Sequence, residues 1–337
     1  MAPRRNSLRQ ITNSLPLRNR SRRNRHILVM SPEPRSCLMF QEVSFASEGA
    51  KLRGRHYSHA ISLNPTVVMT HGTTATVSMT VDHYAEAIFA AGFDVLLYDH
   101  KNFGRSGGEP RQEINPWIQT RGYRDAVAFL RVKQPDSPIV LWGDSFSAGL
   151  ALVAGALIDD IAAIVAQIPV CGVALPQGFT DDGAFEIMKE VFEIGDVAGG
   201  PEQTTGPMPV VSSDQQNTPS LLTPIQAFRW FIEHGGRHGS RWENWASRVI
   251  PETPVACNPY VTAPYLSMPV QMVVGRNDEM VHCNPEIQRA VFDRLTGEKE
   301  FVEIDGGHFG LLWHPSAEFD EAINRQIAFL SKVFESD

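Results

Sequence analysis

The chain has 337 residues, 42% of them hydrophobic, and a net charge of −8. That length suits one large α/β domain with an insertion as well as two smaller domains. No uninterrupted apolar run nears the roughly 18 residues that a membrane-spanning helix needs. Eight arginines (Arg4, Arg5, Arg9, Arg18, Arg20, Arg22, Arg23 and Arg25) and no acid lie within residues 1–30, which leaves −16 on the remainder. Such an acidic body makes a poor nucleic-acid surface.

In chain order, residues 1–38 read as a basic, disordered extension, without an apolar helical face or the apolar run of a secretory signal. An interaction arm, an organelle presequence, or sequence upstream of a start at Met30 are alternatives for the same arginines. Two strands follow, Met39–Ala46 and Lys51–Tyr57, expected as an antiparallel pair at a sheet edge. The apolar strand Thr66–Thr70 ends in His71-Gly72. A helix near Val81–Ala91 and the strand Asp94–Tyr98 come next. Arg121–Lys133 places Tyr123, Ala126, Val127 and Leu130 at helical spacing. Then come the strand Pro138–Trp142, a helix to about Ile158, and the strand Ile161–Ile168. This alternation implies right-handed βαβ units and a mostly parallel sheet.

The rhythm breaks over residues 173–264. Helical pieces near Ala184–Ile194 and Pro224–His234 flank a Pro-, Gly-, Gln- and Ser-rich stretch from Gly195 to Ser220. A structureless loop of that size is unusual in a compact domain, so the segment reads as an inserted cap, given bulk by Trp230, Trp242 and Trp245. The rhythm resumes with the strand Pro269–Val274, the helix Glu286–Leu295, the strand Glu300–Ile304 and the helix Phe319–Phe334. The expected organisation is therefore an α/β core of residues 39–172 and 265–337 around a cap of residues 173–264.

The chemistry concentrates in Val140–Leu152, where an apolar strand meets a small-residue turn and a small, apolar helix. Gly143-Asp144-Ser145-Phe146-Ser147 fits the Gly-x-Ser-x-Gly nucleophile elbow except at its last position. A serine hydroxyl is a weak nucleophile and needs an imidazole base oriented by a carboxylate. Asp278 follows the strand Pro269–Val274, and His308 follows the strand Glu300–Ile304 in a glycine-rich loop. Both stand in the order serine, acid, histidine. Asp144, Glu279 and Asp305 are competing acids. The backbone N–H groups of Thr73 and Phe146 are the expected oxyanion hole, and His71 is read as holding that loop. The run Tyr98–Pro110 reads as a structural loop tied down by Asp99. Four cysteines without Cys-x-x-Cys fit a reducing compartment, and a cytoplasmic location is expected.

On these residues the chain resembles the α/β-hydrolase superfamily over roughly residues 40–335. Trp142–Gly149 and Ile304–Leu311 are similar to a subgroup near dienelactone hydrolases, acetyl-xylan esterases and Xaa-Pro-peptidase-like domains. Fungal polyketide transferases and thiohydrolases stand near it too. Ser147 departs from the usual second glycine, and Lys101 stands where arginine is common. The expected activity is a serine hydrolase acting through an acyl-enzyme on a small-molecule carboxylic ester or thioester, with no cofactor and no metal implied. An acyltransferase, a small-peptide peptidase and a non-enzymatic binding protein are the alternatives.

Overall fold

The computed structural model describes residues 40–60, 64–178, 180–194 and 203–334. The basic extension and Met39 lie outside the described residues. The strands are β1 (Phe40–Ser47), β2 (Ala50–Tyr57), β3 (Thr66–Thr70), β4 (Asp94–Tyr98), β5 (Glu113–Ile114) and β6 (Ile139–Asp144). They continue with β7 (Ile161–Gln167), β8 (Gln203–Met208), β9 (Ala246–Ile250), β10 (Val270–Gly275) and β11 (Lys299–Ile304). Eight of them form one sheet in the order β1-β2-β4-β3-β6-β7-β10-β11. β1 and β2 are an antiparallel edge hairpin, and β2 also lies antiparallel to β4. From β4 onward all neighbours are parallel. The hairpin turns on Glu48 and Gly49, both at positive φ, a turn whose twist matches that of the strands it joins.

Strand alternation splits the core into two layers, one on each face of the sheet. Val67, Met69, Val140 and Trp142 enter one apolar cluster, while Val68, Ile139 and Leu141 enter the other. The first is covered by α1 (Val81–Ala90) and α9 (Ala317–Phe334). The second is covered by α2 (Pro116–Lys133), α3 (Phe146–Leu157) and α7 (Pro285–Asp293). Because both faces are covered, these strands are near-continuous apolar runs rather than alternating ones. Trp142 is fully buried, and its indole N–H donates to Gln326 Oε1 at 2.8 Å, so its burial leaves no orphaned donor.

α2 begins five residues before the expected Arg121. Pro116 occupies the first helical turn, and the Asn115 side chain accepts from the N–H groups of Trp117 and Ile118. Residues 173–264 hold α4 (Asp182–Ile194), α5 (Ile225–Gly235), α6 (Pro259–Thr262), β8 and β9, and the last two join β5, from before α2, in a small second sheet of order β5-β9-β8. None of its three strands was expected. β8 places Gly206 and Pro207 inside the Gln/Ser-rich stretch; its pairing is set by β9 rather than by any alternation of its own. No helix among the described residues is long and apolar enough to cross a membrane.

Candidate active site

β6 runs into α3 through Ser145, which sits at φ 54° and ψ −117°. That conformation is strained for a non-glycine residue, costing on the order of 1–3 kcal/mol. The strain follows from the tight strand-to-helix reversal. A Cβ on Gly143 would come within 2.3 Å of the Ser147 carbonyl oxygen, so only glycine fits there. A Cβ on Gly149 would strike Val170 O at 2.4 Å, which lets α3 lie close against the chain after β7. The Ser145 backbone is pinned on both sides, donating to Gln167 O and accepting from Val170 N–H.

The serine hydroxyl faces His308 Nε2 at 3.0 Å. His308 Nδ1 lies 2.9 Å from Asp278 Oδ2, and Asp278 Oδ1 accepts the Met280 N–H at 2.9 Å. The three residues that the sequence places far apart are thus joined in one hydrogen-bonded line. Asp278 stands in the turn after β10, while His308 opens α8 (His308–Leu311) after β11. Neither Glu279 nor Asp305 bonds the imidazole. Glu279 Oε2 instead accepts the His308 backbone N–H at 2.8 Å, and Asp305 accepts from the Asn277 amide on the surface.

Burial opposes a charged imidazole at His308. The charge and hydrogen bond of Asp278, with the charges of Glu279 and Asp144, outweigh it and raise the His308 pKa above its ordinary value. At Asp144 burial dominates in the other direction. It pushes the carboxyl up to about 7, against the His308 cation and the backbone N–H groups that stabilise its charge. Of these two groups, only His308 bonds the Ser145 hydroxyl.

Thr73 and Phe146 line the same cavity as Ser145 and His308. Phe146 is the first residue of α3, where an N–H has no intrahelical acceptor. Neither its N–H nor that of Thr73 donates to any acceptor among the described residues. Gly72 brings the Thr73 loop against the elbow: a Cβ there would be 2.9 Å from Ser145 Cβ.

Ser147 acquires a reason in this arrangement. Its hydroxyl donates to the His71 carbonyl, and His100 Nε2 lies 2.7 Å from the same oxygen. The one hydroxyl proton is committed to His71, so His100 Nε2 must donate. The His100 N–H donates to His71 Nε2 at 3.2 Å, so His71 carries its proton on Nδ1, facing Gly72 O at 2.9 Å. Burial lowers the proton affinity of both rings, which keeps them neutral in these tautomers. The ring of bonds clamps His71-Gly72 directly before Thr73. Ser147→Gly, which restores the common residue, is expected to lower kcat about tenfold at nearly unchanged KM, because a displaced oxyanion donor acts on the transition state. Steady-state kinetics on any turned-over ester checks this, and a wild-type kcat would refute it.

The Tyr98–Pro110 run is the brace that the sequence suggested. Asp99 accepts from Val77 N–H and Arg105 N–H, and Gly104, at positive φ, passes so close to its carboxylate that a Cβ would overlap it. Lys101 reaches the Glu48 carbonyl at 2.8 Å, a single bond where arginine offers a planar fork. One group of three potential metal ligands occurs among the described residues, Asp278, Cys283 and His308. Nothing local in the sequence marks Glu279 as a backbone anchor, His100 as part of the clamp, or Arg248 and His282 as cavity wall.

A family model described as serine aminopeptidase, S33 matches residues 62–216. A thiohydrolase of Aspergillus aculeatus is 29% identical over 309 residues, covering 87% of this chain and 93% of that protein. A polyketide transferase of Aspergillus fumigatus is 29% identical over 308 residues, covering 87% and 98%. Among solved structures, the α/β hydrolase GrgF from Penicillium sp. sh18 superposes with a TM-score of 0.64 at 23% identity, over 88% of this chain and all of that one. DcsB in complex with its substrate analogue gives 0.64 at 22%, over 87% and 99%. Sheet order, elbow and these likenesses together define an α/β-hydrolase fold. The chain belongs to the α/β-hydrolase superfamily, and it is an enzyme of the hydrolase type.

Proposed function

We propose that the protein is a serine thioesterase or esterase for small molecules with an apolar acyl group, and that Ser145, His308 and Asp278 are its catalytic residues. The observation that carries this reading is the unbroken line from Ser145 Oγ through His308 to Asp278, opening on an apolar cavity. Ser145 Oγ attacks the acyl carbonyl as its proton passes to His308 Nε2. Asp278 holds the other imidazole proton on Nδ1 and stabilises the cation that forms. The N–H groups of Thr73 and Phe146 receive the oxyanion. His308 then protonates the departing thiol or alcohol. A water attacks the acyl-enzyme by the reverse path, giving the free acid and restoring Ser145.

The acyl group is read from the walls. Leu221, Leu222, Trp230 and Phe231 line the cavity together with Phe309 and Leu312. The first four come from residues 173–264, which we assign as the cap. Trp230 is fixed by donating its indole N–H to Leu312 O at 2.7 Å, which ties this segment to the α8 region. A thioester is favoured by the relatives named thiohydrolases.

An acyltransferase is the second reading, favoured by relatives named polyketide transferases at comparable identity. The experiment supplies octanoyl-N-acetylcysteamine and ethyl octanoate, each with and without an added long-chain alcohol. Octanoic acid from the thioester, faster than from the ester, is the expected result. A new ester formed only with the alcohol present would replace hydrolysis by transfer. No acyl product in any arm would overturn both.

A further inference from the structure

The cavity wall carries one cation that the acyl-transfer chemistry does not use. Arg248, on β9, lines the same cavity as Ser145, in which aliphatic and aromatic side chains dominate. Among the described residues its guanidinium has no hydrogen bond and no carboxylate within ion-pair distance; its backbone is paired in the sheet, and its carbonyl also accepts from Thr205 Oγ1. His282 lines the cavity too and feels the Arg248 charge. Burial first, and Arg248 second, lower its proton affinity, so at neutral pH it presents an uncharged ring. The sole carboxylate side of this cavity is Asp144, buried at the elbow and not bonded to Arg248.

An exposed arginine on a protein surface is ordinary and usually contributes little. This one is distinguished by position. It lines the same cavity as Ser145, it stands on a chain of net charge −8, and it is not neutralised by a neighbour. β9 is held on both sides, paired with β5 through Ile114 and with β8 through Thr205, so the guanidinium projects from an ordered backbone. A guanidinium offers a planar fork of donors that fits two oxygens of a carboxylate or phosphate, and a neutral imidazole adds one more donor.

We propose that Arg248, with His282 beside it, is an anion-recognition subsite that selects substrates carrying a carboxylate or phosphate in addition to the scissile acyl bond. The inference rests on the hydrolase reading above. The anion has two possible sources, the leaving group or the far end of the acyl chain, and the oxygen chemistry is the same for both.

The test uses three thioesters on the full-length protein. Octanoyl-N-acetylcysteamine is neutral, octanoyl-coenzyme A carries phosphates on the leaving group, and the mono-N-acetylcysteamine thioester of octanedioic acid carries a carboxylate on the chain. The readout is kcat/KM for each anionic substrate divided by that for the neutral one. Arg248→Gln is expected to lower this ratio about tenfold for one of the two anionic substrates, mostly through KM, and Arg248→Lys to keep part of it. The substrate whose ratio falls identifies the source. Binding of the same compounds to Ser145→Ala, followed by tryptophan fluorescence, makes the same comparison without turnover. Ratios that Arg248→Gln leaves unchanged for both anionic substrates, by turnover and by binding, overturn the subsite. Loss of turnover of the neutral thioester by wild type overturns the hydrolase reading instead.

Discussion

Replacing Ser145 with alanine is expected to lower kcat by about a million-fold, the scale seen when a triad nucleophile is removed. The size follows from geometry: no other hydroxyl stands at 3.0 Å from His308 Nε2 among the described residues. Ser147, two residues on, is turned away and committed to His71 and His100. A fluorophosphonate probe should label wild type and fail to label Ser145→Ala. Retained labelling would show that another residue is the nucleophile. A companion substitution separates chemistry from strain. Ser145→Gly should be as inactive as Ser145→Ala yet more stable by about 1 kcal/mol, since glycine adopts φ 54° without penalty and alanine does not. Thermal unfolding of the two variants measures the difference, and equal stability would argue that the turn is relaxed.

Much of this arrangement is legible in the sequence, for reasons particular to each residue. The elbow announces itself because a strand-to-helix reversal admits only small residues: Gly143 and Gly149 each face backbone within about 2.4 Å of where a Cβ would be. Asp278 and His308 stand out because a parallel sheet brings the loops after successive strands, here β10 and β11, to the same end. What stayed hidden depends on partners distant in the chain. β8 contains Gly206 and Pro207 and becomes a strand through its pairing with β9. His100 was visible only as one residue in a loop, because its role needs Ser147, 47 positions away, to be in contact. Arg248 is silent in sequence, since nothing local says that β9 borders the cavity.

Ser147 illustrates how a mismatch can carry information. Against the usual pattern it is a missing glycine. In the folded chain it supplies the hydroxyl that fixes the His71 carbonyl, while its backbone oxygen accepts from Tyr123. The departure and the two buried histidines form one device. Neither His71 nor His100 needs a charge for it, which agrees with the direction in which burial moves both.

Asp278→Asn should be the second most damaging change, lowering kcat by about ten-thousand-fold while leaving the protein folded. The hydrogen-bond pattern explains why an isosteric amide fails. Asp278 Oδ1 accepts the Met280 N–H, and Oδ2 accepts from His308 Nδ1. Asparagine keeps its oxygen on Met280, the only arrangement that satisfies that donor, and so turns its NH2 toward Nδ1. His308 must then accept at Nδ1 and carry its proton on Nε2, the nitrogen that faces Ser145. The base is present in the wrong tautomer. Loss of the charge also removes the strongest influence that raises the His308 pKa, leaving burial, which lowers it, opposed only by the weaker charges of Glu279 and Asp144. The acid limb of the kcat/KM profile reports neutral His308 and should therefore move to lower pH in Asp278→Asn. Stability follows the same sign. The ion pair stabilises the folded protein below the unfolded histidine pKa of about 6.5, and this contribution fades as pH rises through the higher folded value. Asp305→Asn, at a surface carboxylate that does not bond His308, is the matched control and should stay within about twofold of wild type. A pH–rate profile of the three proteins checks all of this, and an unshifted acid limb in Asp278→Asn would mean that another carboxylate orients the base.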